Sequence, residues 1–114
     1  VCLKEEIIGK PKGREGAIKM LGKLSGNKHE VITAVTLLSK EKEHTFYEET
    51  EVYFKPLTVN EIEYYVDNYQ PFDKAGSYGI QEWIGYIGIE KIIGSYFNVM
   101  GLPVKRVYEE LLKF

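Results

Sequence analysis

Nine consecutive residues, Asp73-Lys74-Ala75-Gly76-Ser77-Tyr78-Gly79-Ile80-Gln81, carry an acid, a base, two glycines, a hydroxyl, a phenol and a carboxamide. The stretch has too little apolar content for a strand and too much glycine for a helix interior, so it reads as a shaped loop. Gly76 and Gly79 let the backbone approach a ligand closely or take positive φ. Asp73 can hold a metal or take a proton, and Lys74 can neutralise phosphate charge. The Gln81 carboxamide donates and accepts at once. Uracil and thymine present an N–H beside a carbonyl, a pattern that one such amide can read. Without a ligand, the same residues make a turn in which Asp73 caps a short helix.

A second cluster, Gly9-Lys10-Pro11-Lys12-Gly13-Arg14, gathers three cations where a strand ends and a helix begins. Backbone donors at that helix start add to the attraction for an anion. A triphosphate or a carboxylate suits this place; without one it is a solvated loop with surface lysines. A third segment, Asn98-Val99-Met100-Gly101-Leu102-Pro103, shapes a tight lead into the last helix, with Tyr96 and Phe97 before it expected in the core.

Other chemistry is excluded or demoted. The Gly16–Lys23 run has one residue too many between its glycines for a phosphate-binding loop, and Leu24 follows the lysine. Ser77 follows Gly76 directly, which is not the spacing of a nucleophile elbow. His29 and His44 lack partners at metal-ligand spacing and read as structural or surface histidines. Cys2 reads as an inert thiol.

The elements that must position these groups follow from periodicity. Val1-Cys2-Leu3 and Ile7-Ile8 flank Lys4-Glu5-Glu6 as a tight hairpin, although no Asn-Gly or Gly marks the turn. A helix from about Arg14 to Ser25 has Ala17, Met20, Leu21 and Leu24 on one face, with Gly13 as N-cap and Gly26 as stop. His29–Leu38 is rich in β-branched residues and apolar on both faces, as a central strand requires. A second strand from about Thr45 to Lys55 turns Thr50, Val52 and Phe54 to one face. Thr58 and Glu61 form a capping box for a helix that buries Ile62, Tyr65, Val66 and Tyr69. Part of Ile84–Ile93 reads as strand, and Pro103 opens a last helix patterned by Val104, Val107, Tyr108, Leu111 and Leu112. The order β-β-α-β-β-α-loop-β-α predicts a single α/β domain over 1–114 with a mixed sheet.

Composition agrees with one modest core: 114 residues, 44% apolar, 28% charged and nine tyrosines. A net charge of −2 does not favour nucleic acid or an anionic membrane as partner. One cysteine fits a reducing compartment, and no leader pattern or bilayer-length apolar run occurs, so the cytoplasm is the expected location. The opening Val1-Cys2-Leu3 resembles the middle of a strand, which predicts a sequence truncated at its N-terminus.

Taken in order, Gly9-Lys10-Pro11, Leu24-Ser25-Gly26, His29-Glu30-Val31, Thr33-Ala34-Val35, Thr50-Glu51-Val52, the Asp73–Gln81 run and Gly94-Ser95-Tyr96 leading to Asn98–Pro103 resemble the Maf family of nucleoside triphosphate pyrophosphatases. The resemblance covers nearly the whole chain. It implies a Maf-like bent mixed sheet flanked by helices, and cleavage of a nucleoside triphosphate between its α and β phosphates, giving the monophosphate and pyrophosphate. It also implies help from a divalent cation, Mg²⁺ or Mn²⁺. Lys10 matches a phosphate-contacting lysine and Gln81 a position tied to base choice; the Ile80-Gln81 ending resembles the branch acting on dTTP and UTP. Lys10 and Asp73 are the catalytic candidates, with Lys10, Lys74 and Gln81 binding substrate. The family's Ser-x-Ser-Pro-Arg-Arg segment and its Ala-Asp-Thr strand, whose aspartate accepts a proton, have no counterpart in these residues. The stretch by itself is therefore expected to be inactive or nearly so. The alternative is a regulatory module of septum formation and cell division, signalled by an exposed patch drawn from Tyr47, Tyr53 and Tyr64. A homodimer is a further expectation, since an exposed edge strand invites pairing.

Overall fold

The computed structural model describes Val1–Phe114 throughout. Strands β1 (Cys2–Leu3) and β2 (Glu6–Ile7) form the first hairpin. Helix α1 (Gly13–Leu24) follows, then the long strands β3 (Lys28–Leu38) and β4 (Glu43–Phe54). Helix α2 (Val59–Tyr69) leads into a single 3₁₀ turn at Ala75–Ser77. Helix α3 (Trp83–Gly88), strand β5 (Ile89–Ile93) and helices α4 (Tyr96–Met100) and α5 (Val104–Lys113) complete the chain.

The five strands form one sheet in the order β2-β1-β3-β4-β5. Every pairing is antiparallel, where the sequence predicts a mixed sheet. A helical connection does not by itself make its strands parallel. The link through α2 and α3 returns to the end of the sheet it left, and the Lys55 N–H donates to the Gly88 carbonyl at 2.8 Å. β5 therefore runs back along β4.

The core lies at one end of this sheet. Ala17, Leu21 and Leu24 of α1 meet Ile62, Tyr65 and Val66 of α2, together with Leu3, Phe54, Tyr78, Ile80 and Ile84. Of the apolar stripes expected on α1 and α2, Met20 is only half-buried and Tyr69, at the end of α2, is exposed, while the others are buried. The Thr58–Glu61 capping box forms in both directions at 3.1 and 2.9 Å. At the start of α1, Lys12 occupies the cap position and Gly13, with φ +74°, makes the turn.

Three local outcomes differ from expectation. Residues 83–88 are helical, and only 89–93 of that apolar run are strand. A Cβ on Gly85 would stand 1.8 Å from the Ile80 carbonyl oxygen, so only glycine lets α3 close onto that loop. Tyr96 and Phe97 are not core; they are 40% and 52% exposed, because α4 turns Asn98 inward instead. On α5, Val104, Tyr108, Leu111 and Leu112 face outward, and Glu110 is the buried residue.

Candidate functional site

Pro11 and the loop before it end the first hairpin close to the Asp73–Gln81 loop. The Gly76 N–H donates to the Gly9 carbonyl at 3.1 Å, which ties the two glycine-bearing segments together. Gly76 has φ +74°, and a Cβ there would press on the Val1 side chain at 3.3 Å. Of the two uses the sequence suggests for this glycine, positive φ is the one seen, with Val1 as its neighbour.

A cleft of about 310 Å³ opens beside this junction. Val31, Ile32 and Thr33 of β3 line one side, Lys74 and Tyr78–Gln81 another, and Asn98–Gly101 the third, with Val1 at the edge. Lys74 and Gln81 therefore share one cleft. The Gln81 side chain is exposed and makes no hydrogen bond within the molecule. Lys10 does not line the cleft itself. It is exposed on the Gly9 loop, close enough to Asp73 to help hold that carboxyl below its ordinary range. The larger part of that depression comes from the Lys74 ammonium, which donates to Asp73 at 3.2 Å. Asp73 caps no helix; its carboxylate fixes Lys74.

One of the three cations of the Gly9–Arg14 cluster is committed elsewhere. Arg14 donates to both carboxylate oxygens of Asp67 at 2.6 and 3.2 Å, joining α1 to α2. Lys10, Lys12 and Lys74 are the basic groups left on this side.

Below the cleft, His29 is fully buried and its Nε2 shares a 2.6 Å hydrogen bond with the Tyr78 hydroxyl. Burial pushes the imidazole down to about 4, so it is neutral at physiological pH. Burial likewise pushes the Tyr78 phenol up. His44 lies on the far part of the sheet, 2.8 Å from Glu110. Tyr47 and Tyr64 are exposed, whereas Tyr53 is half-buried and donates to Glu51.

The polar roles of two residues around the cleft are not reached by sequence reasoning. The Asn98 carboxamide is fully buried and donates to the Val31 and Glu48 carbonyls and to Thr50 Oγ1, at 3.0 to 3.2 Å. It pins the α4 wall of the cleft to β3 and β4. Tyr65 of α2 reaches under the loop and touches both Gly79 and Glu82. The only sequence signal for either is a polar atom at a position whose pattern demands burial.

No three His, Cys, Asp or Glu side chains converge to hold a metal ion. Of the carboxylates nearest the cleft, Asp73 is engaged by Lys74 and Glu82 by Tyr65. These residues alone do not fit a resident cation. No helix is long and apolar enough to cross a membrane.

The fold and cleft define an α/β protein with a small pocket that sets the Gln81 carboxamide beside one lysine, Lys74. The sequence profile of the family described as "Maf-like protein" matches residues 1–114, and the chain belongs to that family. Among curated proteins, one named "dTTP/UTP pyrophosphatase" from Bacteroides thetaiotaomicron is 53% identical, over 99% of this chain and 58% of its own length. One of the same name from Cytophaga hutchinsonii is 55% identical over 99% of this chain and 52% of its own. A third, from Bacteroides fragilis, is 59% identical over 91% of this chain and 54% of its own. The chain thus spans about half the length of the curated relatives it matches.

Proposed function

We propose that the protein carrying this sequence is a nucleoside triphosphate pyrophosphatase that converts dTTP and UTP to the monophosphate and pyrophosphate. The observation that carries the proposal is the single cleft shared by Lys74 and Gln81, with the Gly9 carbonyl beside Lys10 accepting from the Gly76 N–H of the Asp73–Gln81 loop. The names of the relatives point the same way.

In this reading, water attacks the α phosphorus, the bond to the bridging oxygen breaks, and pyrophosphate leaves with the added charge. Lys74 from the cleft, and Lys10 from the neighbouring loop, are proposed to meet that charge, and cations so placed stabilise the transition state more than the ground state. Asp73 acts by holding Lys74 in place. Gln81 accepts from the N–H and donates to a carbonyl of the pyrimidine imide. The resemblance puts the proton acceptor for the attacking water ahead of Val1, and Val1 lines the cleft. The resemblance implies a divalent cation, and the substrate is taken as the Mg²⁺ or Mn²⁺ complex of the nucleotide. A substrate drawn from the nucleotide pool agrees with the cytoplasm as the proposed location.

The test is pyrophosphate release from dTTP, UTP and dCTP with Mg²⁺, using the full-length protein that contains these residues. Lys10→Ala is expected to lower kcat/KM roughly a hundredfold for every nucleotide. Gln81→Ala is expected to erase the preference for dTTP over dCTP while leaving part of the activity. No release by the wild type, or two silent variants, would refute the assignment.

A further inference from the structure

We infer that Tyr65 is a positioning residue for base choice, clamping the Gly79–Glu82 turn so that Gln81 is presented to the nucleotide in one orientation. The inference rests on the role proposed for Gln81. Tyr65 is wholly buried in α2, and most of such a side chain is explained by packing. Its hydroxyl is not. It accepts from the Gly79 N–H at 3.0 Å and donates to Glu82 Oε1 at 2.7 Å. Burial first, and then the Glu82 bond, push the phenol well above its ordinary range, so it keeps its proton and remains a donor.

The two contacts bracket Gln81. Gly79 lies two residues before it and Glu82 one residue after. The backbone closes the same turn, with the Glu82 N–H donating to the Gly79 carbonyl at 3.0 Å and the Gly85 N–H to the Glu82 carbonyl at 2.9 Å. Space is as restricted as bonding. A Cβ on Gly79 would lie 2.6 Å from Glu82 Oε1 and 3.1 Å from the Lys74 side chain, and one on Gly85 would collide with the Ile80 carbonyl. Ile80, between these glycines, is itself buried. Gln81 thus projects from a turn held on both flanks, while its own amide makes no bond to the protein. An amide that must tell a pyrimidine imide from an amino-pyrimidine benefits from such support, because a loose carboxamide can rotate to satisfy either.

Tyr65→Phe keeps the ring and removes only the hydroxyl. Two measurements on the full-length protein decide the matter. In amide hydrogen exchange, the variant is expected to lose protection at Gly79–Glu82 by about tenfold or more, with the α1 and α2 core unchanged. In kinetics, the ratio of kcat/KM for dTTP over dCTP is expected to fall about tenfold, with little further fall in the Gln81→Ala background. A purely structural role would lower both nucleotides equally and add to the Gln81→Ala effect. Unchanged exchange at Gly79–Glu82 overturns the inference whatever the kinetics show. So does a wild-type dTTP preference in Tyr65→Phe when Gln81→Ala has lost it. If Gln81→Ala itself keeps the preference, the nucleotide reading fails with it, and the base-choice role of Tyr65 is overturned even where exchange shows that the clamp exists. Should Tyr65→Phe not fold, Gly79→Ala disturbs the same turn from its other side and is expected to give the same loss of preference; retention there overturns the inference.

Discussion

His29 shows how one buried side chain makes stability depend on pH. It is neutral in the core, hydrogen-bonded to Tyr78, stacked on Phe54, and pushed down to about 4 by burial. In the unfolded chain it titrates near its ordinary 6.5. Between those values the unfolded state binds a proton that the folded state refuses, so stability is full above the upper value and falls as pH drops. From pH 7 to pH 5 the loss from this one group is roughly 2 kcal/mol. The depressed carboxyls Asp67 and Glu61 act in the same direction but only at lower pH, below the ordinary carboxylate range. Urea denaturation at pH 7 and pH 5 measures the effect. His29→Gln is expected to be less stable at neutral pH and to lose most of the dependence between those two values. An identical wild-type midpoint at both would show that the imidazole is protonated or accessible in the folded chain.

At the scale of elements, the first hairpin carries strain that its residues do not advertise. Lys4 and Glu5 both have positive φ, 48° and 69°, as a two-residue turn matched to the twist of the strands demands. Neither is the asparagine or glycine that such a turn favours. Glu5→Gly is therefore expected to stabilise the protein by roughly 0.5–1 kcal/mol, after the greater freedom of glycine in the unfolded chain is allowed for. A lower thermal midpoint in that variant would contradict this account of the turn. The hairpin was nevertheless legible, because Cys2–Leu3 and Glu6–Ile7 pair within a few residues of each other. The α1 and α2 helices were legible for the same reason: their stripes and the Thr58 cap are local patterns. What escaped depends on distant atoms. The helical state of residues 83–88 turns on the fit of Gly85 against the Ile80 carbonyl and of Gly88 against Phe54. The inward turn of Asn98 depends on acceptors in β3 and β4, far off in the chain. The site divides likewise. Lys74 and Gln81 share a loop and could be paired from sequence, whereas the Tyr65 hydroxyl beneath them could not.

At the scale of the molecule, the β3–β4 hairpin is longer than the core it serves, and the whole measures 52 × 27 × 25 Å. Its outer half is seated on α5 through polar contacts. Arg106 bonds Glu110 at 2.9 Å, lies 3.4 Å from Glu48, and stacks over the Phe46 ring at 5.2 Å. Glu110 also meets His44, and the Arg106 and His44 bonds hold its carboxyl below the usual range. Most apolar residues of the same helix point away, with Leu112 71% exposed and only Val107 half-buried. Hydrophobicity is then a poor guide to which α5 residues hold the helix down. Leu112→Ala is expected to change stability by no more than about 0.5 kcal/mol. Arg106→Ala is expected to lower the thermal midpoint further, because it removes the bond to Glu110, the pairing with Glu48 and the aromatic contact together. Added salt should narrow the gap between the two variants, since the Arg106 contacts are partly screened and the Leu112 environment is not. A larger loss from Leu112→Ala than from Arg106→Ala would mean that the stripe is covered in solution and that the polar seat is not what anchors α5.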